Sequence, residues 1–312
     1  MTSGELIIAH PTHAAPNAAP PVSSHAPSQC MSGRIAPSLR QRSVIPGFGL
    51  TLGLTLSWLA LIVLIPLAGL FVRTLELTPD QFLAIVTSRR TVNALTLSFS
   101  TAFAAACINL VFGTVVVWVL VRYDFPLRRL FDAVVDIPFA LPTAVAGISL
   151  TSLFADNGVL GRLFALAGIQ VAYTPLGILC ALVFIGLPFV VRTVQPVLID
   201  LDPELEDAAA SLGASRWQIW RRVILPTLLP AILTGFALAF ARAVGEYGAV
   251  IFFAGNIPNV SEIAPLLIVI KLEEFKYADA TAIAVVMLLV SFMALFVINL
   301  LQRWSIERTS AA

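Results

Sequence analysis

The sequence predicts an all-α fold, a polytopic transmembrane helix bundle of about six spans, and three observations carry that expectation. Hydrophobic residues make up 58% of the 312 positions and charged residues 12%. Mean hydropathy is +0.92, more apolar surface than one globular core can hide, so lipid must solvate most of it. Six separate stretches also approach the roughly 20 apolar residues needed to cross about 30 Å of hydrocarbon.

Residues 1–45 are rich in Ala, Pro and Ser and lack an apolar run, so they read as a disordered cytoplasmic tail. His10, His13 and His25 are dispersed through it, and a solvated tail explains them better than a metal site. The transmembrane domain is expected over 46–305, with spans at Gly49–Val72, Leu95–Val121, Ile137–Ala155, Leu176–Val197, Leu228–Ala254 and Ala280–Leu301. Two shorter apolar pieces, Val159–Val171 and Ala264–Leu272, read as interfacial or re-entrant. Residues 306–312 form a short cytoplasmic C-terminal tail. Cys30, Cys107 and Cys180 have neither metal-ligand spacing nor a disulfide framework and read as structural.

Arg and Lys in short connections resist translocation, which sets the orientation. With the N-terminus inside, Arg34, Arg40, Arg42, Arg122, Arg128, Arg129, Arg216, Arg221, Arg222, Arg303 and Arg308 are cytoplasmic. Arg73, Arg89, Arg90, Arg162, Lys271 and Lys276 lie opposite. That bias predicts two cytoplasmic termini. Because the basic residues are scattered between spans rather than gathered into a stripe, nucleic acid is not an expected partner.

The cytoplasmic loop 199–226 carries dense local signals. Asp202 is an N-cap candidate, Pro203 suits the first helical position, and Glu204, Glu206 and Asp207 complement the positive end of the helix dipole. Ala208, Ala209 and Ala210 propagate the helix, and Gly213 can end it in a left-handed cap. Ser215 caps a second, amphipathic stretch in which Trp217 and Trp220 suit the membrane interface, with Arg216, Arg221 and Arg222 beside the headgroups. The chain re-enters lipid at Leu225-Pro226. Such a helix-turn can be a plain linker.

Inside the spans, Arg192, Arg242 and Glu246 are costly unless paired, about 2.5–3.5 kcal/mol each on insertion scales. Arg192 is near enough to a span end to snorkel, and a pathway role fits it equally. Arg242 and Glu246 are four apart on one helix face and can neutralise each other. Ala237, Ala241, Gly245 and Ala249 recur every four residues as a small-residue stripe for close helix approach. Asp136, Pro138 and Pro142 read as an interfacial acid and a helix kink.

Asp207-Ala208-Ala209, Gly213 and Val223-Ile224-Leu225-Pro226 together resemble the Glu-Ala-Ala loop of ABC importer permeases, with Asp207 where that pattern prefers Glu and Val223 where it prefers Ile. The resemblance implies a type I importer permease fold. It also implies that the short helix Glu206–Gly213 docks on a separate ATPase subunit. No phosphate-binding loop exists in this chain, since Lys271 and Lys276 follow Ile270 and Phe275 rather than Gly. No cofactor is therefore expected in this chain, and ATP and Mg are expected to be used by the partner ATPase. Asp136–Gly147, Leu187–Pro196 and Ala241–Asn256 resemble the T-type subunit of sulfate/thiosulfate importer permeases over roughly residues 45–305. Part of this, Arg242-Ala-Val-Gly-Glu246-Tyr-Gly-Ala, recurs in molybdate and tungstate permeases. The resemblance implies a transport subunit rather than an enzyme, working with a sister W-type permease, two ATPase subunits and a periplasmic sulfate-binding protein in the bacterial inner membrane. It makes Glu206, Asp207, Ala208, Ala209, Gly213, Leu225 and Pro226 the coupling residues, while their cost inside the spans makes Arg242, Glu246 and Arg192 pathway candidates. A molybdate or tungstate permease subunit and a gradient-driven secondary transporter are the competing expectations.

Overall fold

The computed structural model describes residues 48–310, with side chains over 49–303. The expected tail at 1–45, with its three histidines and Cys30, lies outside the described residues. Among the described residues there is no strand, and the helices are α1 (Phe48–Thr74), α2 (Pro79–Val86), α3 (Arg89–Arg122), α4 (Arg128–Val135), α5 (Ile137–Ala140), α6 (Thr143–Phe154), α7 (Val159–Leu166), α8 (Pro175–Ile199), α9 (Pro203–Ser211), α10 (Arg216–Ile219), α11 (Leu225–Val244), α12 (Gly248–Phe253), α13 (Ala264–Glu273) and α14 (Tyr277–Ser310). A π-helical segment, Trp220–Ile224, joins α10 to α11. The chain divides into two units: residues 1–56, whose described part is the beginning of α1, and residues 57–312, which hold everything that follows.

Within the second unit α3, α8 and α11 pack on one another, α6 packs on α12, and α14 lies along α11 and α13. The polarity of α3 is that of a membrane helix. Thr91, Ser98, Thr101, Asn109 and Gly113 face inward, while Phe103, Val111, Phe112 and Val115 are exposed. Small and hydroxylated residues let helix backbones approach, and lipid takes the bulky apolar side chains. The core between these helices contains Val117, Val190, Val194, Ile178 and Ala239.

Among the described residues, five helical runs are long and apolar enough to cross a membrane: 49–74, 89–122, 175–199, 216–244 and 277–303. The pair α6–α7, bent by 47° at a four-residue break, can supply a sixth. Two spans expected to be continuous are not. Ile137–Ala155 breaks at Leu141-Pro142, because proline has no N–H for the helix and restricts the residue before it. Leu228–Ala254 stops at Val244, where Gly245 caps α11, and resumes as α12 after a turn. The small-residue stripe is interrupted by the same break: Ala241 and Gly245 are exposed within this chain, whereas Ala249 is buried on α12 against Gly147. Val159–Val171 contains α7, Ala264–Leu272 lies in the ten-residue α13, and α14 runs on to Ser310.

Candidate functional site

The loop between α8 and α11 folds as its sequence signals. The Asp202 side chain accepts the Glu204 N–H at 2.9 Å, Pro203 opens α9, and Glu204 and Glu206 occupy its first turn. Gly213 adopts φ +83°, where a side chain would be strained. The Gly213 N–H donates to the Ala210 carbonyl at 2.9 Å and the Ala214 N–H to that of Ala209 at 3.1 Å, completing a Schellman end. Ser215 and Gln218 then form a reciprocal capping box that starts α10 without slack.

Beyond the short link back to α8 through residues 200–202, two connections join this helix to the bundle. Arg122, the last residue of α3, pairs with Glu206 and lies 5.6 Å from the Trp118 ring centroid. The second is covalent: α10 passes through the π segment into α11 without a loop. An α-helical path through Pro226 would press its ring on the Arg222 carbonyl, and the wider π turn accommodates that crowding. A displacement of α9 therefore reaches α3 through an ion pair and α11 through the backbone.

The far end of α11 holds the charged pair. Arg242 lies 16 residues beyond Pro226, about 24 Å along the helix. Its guanidinium is 2.5 Å from the Glu246 carboxylate; Glu246 is 2% exposed and Arg242 34%. The i,i+4 pair expected from spacing is formed, but across the end of α11 rather than along a continuous helix. The second Glu246 oxygen accepts the Ala249 N–H at 2.9 Å, so this acid also starts α12. On another face of the same helix end, a cavity of about 260 Å³ opens between α11, α13 and α14, lined by Ala241, Gly245, Ile268, Met287 and Ser291 among others and not by Arg242 or Glu246.

Arg192 is placed elsewhere. Its Nε and Nη2 donate to the two Asp136 oxygens at 2.8 and 2.6 Å, and Nη1 donates to Asp132 Oδ1 at 2.8 Å. Nη2 also reaches the Asp132 carbonyl, and Gln195 completes the network. This fork-shaped clamp fastens the α4–α5 elbow to α8. Burial works to raise the Asp132 carboxyl, but hydrogen bonds from Arg192 and Gln195 outweigh it and hold the group below the usual carboxylate range.

Three features escaped the sequence reading. Glu262, 1% exposed, takes a bidentate grip from Arg90 at 2.7 and 2.5 Å. Asn109 is buried at the α3–α8 contact with neither amide atom hydrogen-bonded. The Arg122–Glu206 bond joins residues 84 apart, so no local pattern marks it. Among the described residues no cluster of His, Cys, Asp and Glu could hold a metal ion.

A family model described as "Binding-protein-dependent transport system inner membrane component" matches residues 117–311, more than half of the chain. The chain belongs to this permease family. The permease is 49% identical over 265 residues to the "Sulfate transport system permease protein CysT" of Escherichia coli, covering 85% of this chain and 96% of that one. It is 50% identical over 250 residues to the protein of the same name from Synechocystis sp., covering 80% and 87%. Among solved structures it resembles a bacterial ABC transporter that imports alginate, with TM-score 0.66 at 16% identity over 82% of this chain and 96% of that one. A bacterial alginate ABC transporter in complex with an alginate pentasaccharide-bound periplasmic protein gives TM-score 0.68 at 16% identity, covering 82% of this chain and 93% of that one. These structural likenesses show the fold. The permease is a multi-pass inner-membrane transport subunit of an ABC importer, not an enzyme.

Proposed function

We propose that this permease moves sulfate, or thiosulfate, into the cytoplasm as one membrane-spanning half of an ATP-driven importer. The observation that carries the reading is the mechanical line from α9 to Arg242. A helix capped at both ends is stiff, and it continues without a flexible linker into the helix whose far end carries a cation. The relatives named as sulfate permeases supply the cargo, at about half identity over most of the chain.

On this reading Glu206, Asp207, Ala208, Ala209 and Gly213 form the surface gripped by a separate ATPase, and Leu225 and Pro226 pass the displacement into α11. ATP and Mg belong to that partner. A W-type permease completes the pore, two ATPase copies drive it, and a periplasmic sulfate-binding protein delivers the anion. Both termini lie in the cytoplasm. Arg242 offsets the desolvation of a divalent anion in transit, and Glu246 moderates that charge so the anion can leave. Arg192 holds the elbow that borders the same passage.

The test is co-purification of the tagged permease with its neighbours, followed by labelled-sulfate uptake in a host lacking its own importer. Gly213→Asp, or deletion of 206–213, should abolish ATPase retention while the permease still inserts. Arg242→Gln should keep the assembly and lose at least tenfold in uptake, in keeping with the removal of about 1.4 kcal/mol or more of stabilisation for the moving anion. Full uptake by the Gln variant would remove Arg242 from the pathway. Competition by thiosulfate, molybdate and tungstate ranks the cargo.

A further inference from the structure

A second cavity, of about 360 Å³, opens beside the coupling segment rather than on the pathway. Val115 and Trp118 of α3, Leu198 of α8, Trp217 and Trp220 of the coupling segment and Leu225 of α11 are among its walls. Its lining is almost wholly apolar, so neither an inorganic ion nor a polar metabolite suits its interior. The two coupling-segment tryptophans are stacked, with ring centroids 5.1 Å apart and planes 14° apart, and Trp217 is 65% exposed. Tryptophan with this half-wet placement is characteristic of the level of lipid headgroups.

Two exposed arginines stand one helical turn from lining residues of the groove. Arg216 is one helical turn before Trp220, and Arg221 is one turn after Trp217 and one before Leu225. Both are exposed, and neither takes part in any ion pair among the described residues, unlike Arg122, which Glu206 neutralises. An apolar slot between membrane helices, with interfacial tryptophans and unneutralised arginines at its mouth, has the chemistry of an anionic phospholipid. An acyl chain fills the slot and the phosphate meets the guanidinium groups, which bind phosphate well.

We infer that this groove is a specific site for one anionic phospholipid, seated between α3, α8 and the coupling segment. Its walls belong to α3, α8, α11 and the coupling segment, the elements through which a displacement of α9 would pass. The bound lipid therefore stiffens the join between the coupling segment and α3. The site itself does not depend on which anion is transported.

The test uses the full-length permease with its co-purifying subunits, delipidated in mild detergent and titrated with dioleoylphosphatidylglycerol or dioleoylphosphatidylcholine. Bound lipid is counted by native mass spectrometry. One phosphatidylglycerol should be retained in preference to phosphatidylcholine. Each rim arginine should contribute about fivefold in affinity, so Arg216→Gln with Arg221→Gln should weaken retention about 25-fold. Arg129→Gln removes an exposed arginine elsewhere and should leave retention unchanged. Val115→Trp, which fills the slot without touching the rim, should lose the lipid as well. Equal retention of the two lipids, or retention that survives the double substitution, would show ordinary annular lipid and overturn the assignment. Displacement by inorganic phosphate, or a density map with polypeptide in the groove, would overturn it too.

Discussion

At the scale of single residues, the consequence of a buried ion pair depends on which partner can still reach water. Glu262 is 1% exposed and Arg90 34%. Removing the arginine leaves a carboxylate stranded in low dielectric, whereas removing the carboxylate leaves a cation that can turn outward. Arg90→Ala should therefore cost about 3–5 kcal/mol, and Glu262→Gln clearly less, by thermal unfolding in detergent. Equal losses would mean that the pair is as well solvated as a surface one. The sequence could not show this bond, because its members are 172 residues apart and each reads alone as a loop charge. Arg242 and Glu246 were legible, being separated by one helical turn. Arg192 was half legible: its cost in the span was plain, but its partners Asp132 and Asp136 lie 60 and 56 residues upstream.

At the scale of elements, close helix contacts rest on positions where no side chain fits. A Cβ at Gly147 would collide with the Ala249 backbone, where α6 crosses α12. At Gly245 the nearest such atom is 3.9 Å away, and its φ of −87° suits any residue. Gly147→Ala should thus destabilise by about 1–3 kcal/mol, as overpacking does. Gly245→Ala should stay within about 0.5 kcal/mol, the range of ordinary substitutions outside tight contacts. Differential scanning of the two variants separates them, and a silent Gly147→Ala would contradict the packing. The capped ends of α9 were readable because Asp202, Pro203 and Gly213 act through local hydrogen bonds and backbone geometry. The break in the fifth span was not readable by hydropathy, since Gly245-Glu246-Tyr247-Gly248 sits inside an apolar run. The signal was present in another form: two glycines flank an acid three residues before Ala249, the arrangement of a helix start.

At the scale of the whole molecule, the number of crossings decides where the ends lie. Six crossings, with α6–α7 as one bent span, return both termini to one side; five separate them. Alkaline phosphatase fused at either terminus should therefore be inactive, and fused within the α12–α13 connection active. Activity at one terminus alone would show that the bent pair does not cross. Hydropathy located most of the bundle because lipid imposes one length on every crossing segment. It could not say whether a hinged pair crosses, because that depends on a 47° bend set by backbone geometry rather than composition.

The wide turn at Trp220–Ile224 places an unusual demand on the gene. An ordinary surface connection tolerates gain or loss of one amino acid, since slack absorbs it. Beyond this turn the register runs unbroken through α11, so a one-codon deletion within α11 would re-phase the downstream face by roughly 100°. Arg242 would then point away from its present surroundings, with every hydrophobic segment still in place and a protein that inserts normally.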